Sequence, residues 1–140
     1  MVTRRFQNWP VLLAEFVQSH IHSPFEWGKN DCCLFACDWI NLATGIDPAA
    51  NIRGKYDSAL SAARVLGEFG GVQGVAESKC IEHGFPVVNI NFSQRGDIVT
   101  NLGWTGESLG VCIGAKSAFT GKDGLELYPT LSCVSAWSLK

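Results

Sequence analysis

The hydrophobic and polar positions change rhythm once along this chain. Up to about residue 84 the apolar residues recur at helical spacing; beyond it they fall into short β-rich runs. Pro10 suits the first turn of a helix that carries Val11, Leu12, Ala14 and Phe16 to about Ile21, and Ser23-Pro24 breaks it. A second helix, opened by Asn30 or Asp31 as cap, runs from Cys32 to Thr44. It is apolar on nearly every side, with only Asp38 and Asn41 asking for water, so it is expected at the centre of the fold. Gly45 stands where a left-handed C-cap belongs. Asp57 or Ser58 caps a third helix through Leu66 to Phe69, ended by Gly70-Gly71, and a weaker fourth reaches from Val72 to His83 before Gly84. Pro86 to Ile90, Asp97 to Thr100, Leu109 to Ile113, Leu125 to Tyr128 and Cys133 to Trp137 then read as strands. Helices first and strands afterwards predict one α+β domain over residues 1–140, its helices (about 1–84) packed on one side of an antiparallel sheet (about 85–140).

Composition narrows the partners. Eleven basic and thirteen acidic residues give a net charge of −2, leaving no basic field for nucleic acid or an anionic membrane. With 46% hydrophobic and 17% charged residues the chain is lean in charge, which fits either surface covered by a partner or a well-buried small domain. No apolar run approaches bilayer length. The start, Met1 to Arg5, is basic, but Val11-Leu12-Leu13-Ala14 is cut by Glu15 and lacks a small-residue cleavage site, so no signal peptide and a cytoplasmic synthesis are expected.

Six cysteines stand at 32, 33, 37, 80, 112 and 133. Three crowd into one helix, so free, buried thiols in a reducing compartment are expected rather than a disulfide framework. There is no Cys-x-x-Cys pair and no histidine pair at ligand spacing, and no cofactor or metal is expected. The alternative is that Cys32 or Cys33 with Cys37, joined by Cys80, Cys112 and Cys133, surrounds zinc or an iron–sulfur cluster as a staple.

The chemistry of the chain gathers at Trp27-Gly28-Lys29-Asn30-Asp31-Cys32-Cys33. Cys32 falls in the first turn of the apolar helix, where the partial positive charge of a helix start favours a thiolate. It is the candidate nucleophile; Cys33, four residues before Cys37 on one stripe, is the fallback and reads as packing. A base is harder to find. His20 and His22 end the first helix and His83 ends the fourth, places that solvation at helix ends explains; His83 is a weak base candidate. Arg53-Gly54 and Arg95-Gly96 read as turn chemistry. Trp104, between Gly103 and Thr105 in a polar hairpin, is expected to be exposed and to touch a partner.

Trp27-Gly28 with Asp31-Cys32, Thr44-Gly45-Ile46-Asp47-Pro48, Arg53-Gly54-Lys55-Tyr56, Gly70-Gly71, Arg95-Gly96-Asp97-Ile98-Val99, Leu109-Gly110-Val111-Cys112-Ile113-Gly114 and Ala136-Trp137 form an ordered set. The set resembles a family of small phage and prophage proteins coded among tail genes, and more remotely the layout is similar to the NlpC-type cell-wall peptidases, a papain-like group that cleaves peptidoglycan stem peptides. The resemblance implies a papain-like fold, its N-terminal helices packed on a C-terminal antiparallel sheet or half-barrel, with Asp31-Cys32 at the nucleophile position and Gly96-Asp97 opening the strand block. Where those peptidases carry the histidine base ahead of x-Gly, this chain has Ser108 before Leu109-Gly110. A hydroxyl is no general base near neutral pH, and strand alternation puts Ser108, Gly110 and Cys112 on one face, so no imidazole replaces it from that strand. The resemblance therefore implies a tail-tip or hub component with a structural or adaptor role, made in the host cytoplasm, incorporated in the virion tail and partnered by other tail proteins. The alternative it implies is an active cysteine peptidase or amidase acting on peptidoglycan stem peptides during phage entry.

Overall fold

The computed structural model describes residues 4–139; Met1 to Thr3 of the basic start, and Lys140, lie outside the described residues. Four helices come first: α1 (Trp9–His20), α2 (Leu34–Thr44), α3 (Ala59–Gly67) and α4 (Val72–Glu82). Six strands follow: β1 (Val87–Val88), β2 (Ile98–Gly103), β3 (Gly106–Cys112), β4 (Lys116–Thr120), β5 (Leu125–Pro129) and β6 (Ser135–Trp137). They form an antiparallel sheet in the order β1-β6-β2-β3-β4-β5. The chain is thus α+β, in the segregated order that the apolar rhythm predicts.

The caps explain the helix boundaries. Ser58 accepts the Ser61 N–H at 3.1 Å and Ser61 returns the bond, a reciprocal box that starts α3. Gly45 at φ +80° closes α2 in the left-handed conformation that glycine adopts without strain. α2 itself begins two residues later than its hydrophobic run: Leu34 is the first helical residue, and Cys32 and Cys33 lie in the turn ahead of it. Asp31, not Asn30, closes that turn; Asn30 instead donates to the Pro24 carbonyl at 3.1 Å.

The sheet departs from expectation at its middle. Lys116–Thr120 carries little apolar signal, yet Ser117, Ala118, Phe119 and Thr120 are all buried, because β4 lies between β3 and β5 and both of its faces are covered. Ser117 is accommodated by a hydroxyl–hydroxyl bond to Thr130 at 2.8 Å. The expected strand over Pro86 to Ile90 shrinks to two residues, and a 3-10 turn, Ile90–Phe92, takes the rest.

Strand alternation gives the sheet two different faces. Ile98, Leu109, Val111, Ala118 and Trp137 pack against the helices around the fully buried Phe35 and Trp39 of α2. Val99, Cys112, Phe119, Cys133 and Ala136 form a smaller cluster on the other face. Two bonds fasten the central helix and the turn ahead of it to the sheet region: Trp39 Nε1 of α2 donates to the carbonyl of Gly96, in the turn before β2, at 2.9 Å, and the Leu109 N–H of β3 donates to the carbonyl of Cys32, in the turn before α2, at 2.7 Å. The second brings the head of α2 to the helical face of β3.

Candidate functional site at the head of the central helix

The turn before α2 is assembled around Asp31. Its side chain is fully buried and accepts from Cys33 N–H (3.0 Å), Leu34 N–H (2.9 Å), Gly28 N–H (2.8 Å) and the Tyr56 hydroxyl (2.8 Å). Two carboxylate oxygens offer about four acceptor positions, so Asp31 has no capacity left for a ligand. Gly28 can approach only because it lacks a side chain: its φ is +85°, and a Cβ there would stand 2.4 Å from the Tyr56 carbonyl oxygen. The loop that delivers Tyr56 is itself pinned, since Arg53 bonds Asp47 at 2.7 Å and also pairs with Asp38 of α2. Arg53 and Tyr56 belong to a motif whose spacing suggests only a turn; their role comes from residues 15 and 25 positions earlier in the chain.

Cys32 sits at the bottom of a groove of about 470 Å³, within the size range of small-ligand sites. Trp27 stands at the groove, Ala59, Ala62, Ala63 and Leu66 of α3 line one wall, and Gly71, Val72, Thr105 and Glu107 line it elsewhere. The sulfur is only marginally accessible, at 4% exposure for the residue. Burial pushes its thiol up to about 12; the negative charge of Asp31 adds to this, a hydrogen bond with the Thr105 side chain opposes it, and Glu107 raises it further. The helix-start effect expected to favour a thiolate is overridden, because desolvation and two carboxylates outweigh the partial charge of one helix end.

The structure separates the remaining candidates. Ser108 pairs with Asn101 on the face shared with Val99, Gly110 and Cys112, so its hydroxyl points away from the α2 side and donates to the Gly106 carbonyl at 3.1 Å. Its neighbour Glu107 occupies the face that meets Cys32. His83 caps the end of α4 with its Nε2 2.9 Å from Glu82, whereas the groove uses the opposite end of that helix, roughly 16 Å away at 1.5 Å per residue. His20 stacks on Phe16 with ring centroids 4.3 Å apart and holds its own helix through the Phe16 carbonyl at 2.8 Å. His22 lies beside Lys122 and Asp123 at the β4–β5 turn. Among the described residues no imidazole lines the Cys32 groove.

All six cysteines are free and buried. They divide between the sheet's two faces, Cys32, Cys33, Cys37 and Cys80 with the helices and Cys112 with Cys133 on the other. Among the described residues no three His, Cys, Asp or Glu side chains are gathered as ligands of a metal ion. Cys33 has its thiol pushed up by a hydrogen bond with Cys37 and by burial, as a packed residue would.

Two site residues escape sequence reasoning, Thr105 and Glu107. Glu107 Oε1 accepts the Gln73 N–H at 3.3 Å and so caps α4, whose own N-cap is Gly71. Parity was the available signal: with Leu109 directed to the core, Glu107 two residues earlier shares its face. Trp104 is 50% exposed at the two-residue tip of the β2–β3 hairpin and meets Phe25 edge-on, with centroids 5.3 Å apart; Phe25 in turn meets Trp27 at 4.8 Å.

No helix among the described residues is long and apolar enough to cross a membrane. No curated protein matches the chain. The model of a domain of unknown function, DUF6950, matches residues 4–139, and the chain belongs to that family.

Proposed function

We propose that this DUF6950 protein is a phage tail component, at the tail tip or hub, built on a papain-like scaffold of the NlpC type and acting as a structural or adaptor module rather than as a peptidase. The observation that carries this reading is the company kept by the Cys32 sulfur. It meets the Thr105 side chain and the charges of Asp31 and Glu107, while all three imidazoles lie elsewhere. A thiol hydrolase needs a thiolate at working pH and an acid–base group to exchange protons with substrate and leaving group. Here burial and two negative charges keep the sulfur protonated.

A thiol ahead of a central helix, packed against an antiparallel sheet, supports the papain-like scaffold; the ordered motifs from Trp27-Gly28 to Ala136-Trp137 support the tail assignment. On this reading the partners are other tail proteins, and the protein passes from the host cytoplasm into the virion tail. Purified wild type and Cys32→Ala are to be incubated with purified cell walls, and the wild type labelled with iodoacetamide across pH. Neither protein is expected to release wall fragments above the blank, labelling is expected to stay slow until well above pH 9, and phage carrying Cys32→Ala are expected to assemble normally. Fragment release by the wild type that disappears in Cys32→Ala overturns the adaptor reading in favour of a peptidase acting on stem peptides.

A further inference from the structure

The groove above Cys32 has a one-sided chemistry. Apart from the protonated thiol, its single ionisable lining residue is Glu107, and no Lys, Arg or His lines it among the described residues. One carboxylate oxygen caps α4, and the other accepts no hydrogen bond among the described residues. Beside Glu107 the groove presents Trp27, the innermost of three successive aromatic rings that end in the half-exposed Trp104. Aromatic faces and a carboxylate at one site both favour a cation.

A second observation lies behind Glu107. Glu107 and Val72 also line a smaller chamber of about 90 Å³, together with Thr100, Asn101, Leu102 and Ser108. Thr100 is 4% exposed, and its buried hydroxyl has no hydrogen-bond partner among the described residues. A buried hydroxyl without a partner is costly and marks a place where a partner is missing, and its oxygen can accept from an ammonium. The chamber suits the compact, three-donor ammonium of lysine better than a planar guanidinium.

We propose that the groove docks a segment of a partner protein through one lysine, whose methylenes lie along Trp27 and Val72 and whose ammonium pairs with Glu107 and donates to Thr100 Oγ1. This rests on the adaptor reading and supplies the chemistry of its partner. The segment's remaining contacts are apolar and shallow, against Ala59, Ala63 and Leu66 of α3.

The test uses the full chain and an immobilised positional library of acetylated octapeptides in which one position is fixed in turn as Lys, Arg, norleucine or Glu. Lys-fixed peptides are expected to be retained at least tenfold better than norleucine- or Glu-fixed ones and severalfold better than Arg-fixed ones. Glu107→Gln keeps the acceptor that caps α4 and is expected to remove most of that preference. Thr100→Val deletes only an unpartnered hydroxyl and is expected to narrow the gap between Lys and Arg. Ala63→Lys, at an exposed position on the wall, places a cation in the groove and is expected to abolish retention. Absence of a Lys preference, or its survival in both Glu107→Gln and Thr100→Val, overturns the proposal. So does equal binding of Nα-acetyl-lysinamide alone, tighter binding of isolated stem peptides, or self-association of the chain through this face in sedimentation. Wall hydrolysis lost in Cys32→Ala instead sinks the adaptor reading whatever the library shows, so the two failures are distinct.

Discussion

Two carboxylates flank Cys32, and they live in opposite conditions. Asp31 is enclosed on the helix side and its four bonds come from three backbone N–H groups and one hydroxyl. Glu107 is on the sheet side at the lip of an open groove and, among the described residues, is bonded through one oxygen, to the Gln73 N–H. The saturated acid holds structure: it draws the Gly28 turn, the Tyr56 loop and the start of α2 to one point. The open acid leaves charge available to something outside the chain. The sulfur between them is kept from ionising chiefly by burial, and each negative charge, Asp31 more than Glu107, adds to that.

That contrast can be broken first at the enclosed side. Asp31→Ala is expected to lower the unfolding free energy by about 3–5 kcal/mol, because two buried backbone donors, the half-buried Gly28 N–H and the Tyr56 hydroxyl lose their acceptor together; denaturant melts of the two proteins measure it. Tyr56→Phe removes one bond to the same carboxylate, and a loss of about 1.5–3 kcal/mol is expected by the same measurement. If both changes were neutral, Asp31 would not be the point on which the turn depends.

The pH dependence sharpens the comparison at the sulfur. Cys32 and Cys80 have folded-state thiols pushed up to about 12 from an ordinary value near 9, chiefly by burial. A raised value means the native state keeps protons that the unfolded chain gives up, so the stability they confer is full below about pH 9 and is lost as pH rises toward 12. A fall of about 1 kcal/mol per thiol is expected between pH 8 and pH 10. Cys33 and Cys133, also pushed up, add to the slope with the same sign, so Cys32→Ala is expected to remove roughly a quarter of it. The smallest effect belongs to the open side: Glu107→Gln is expected to change stability by less than about 0.5 kcal/mol, since the amide oxygen still caps α4. A large loss there would make Glu107 as structural as Asp31 and erase the difference between the two acids.

How far this was legible follows from the range of the interactions concerned. The four helices, the Gly45 and Ser58 caps and the change of period near Gly84 are encoded within a few residues of where they act, and the chain displays them. β4 is not displayed, because Ser117 and Thr120 look solvated until β3 and β5 are placed on either side. Cys32 was legible as the residue on which the site turns, but its environment was not. The helix start promises an acidic thiol, whereas the sheet that buries it, and the hairpin carrying Thr105 and Glu107, arrive from more than 70 positions away. Ser108 shows the same limit most sharply. Its spacing before Gly110 matches a base position, and the register of β2 against β3 turns it to the other face.

What the order of residues determined alone is therefore the segregated α+β layout, the centrality of α2 and a cap at Asn30 or Asp31 ahead of it, all set by local backbone demands and apolar periodicity. Only the tertiary structure decided which carboxylates Cys32 would meet, that no imidazole would line its groove, and that the buried Thr100 hydroxyl would find no partner among the described residues. Those are matters of strand parity and through-space approach: a slip of one residue in the β2–β3 register would turn Glu107 to the other face, while still bringing no histidine to Cys32.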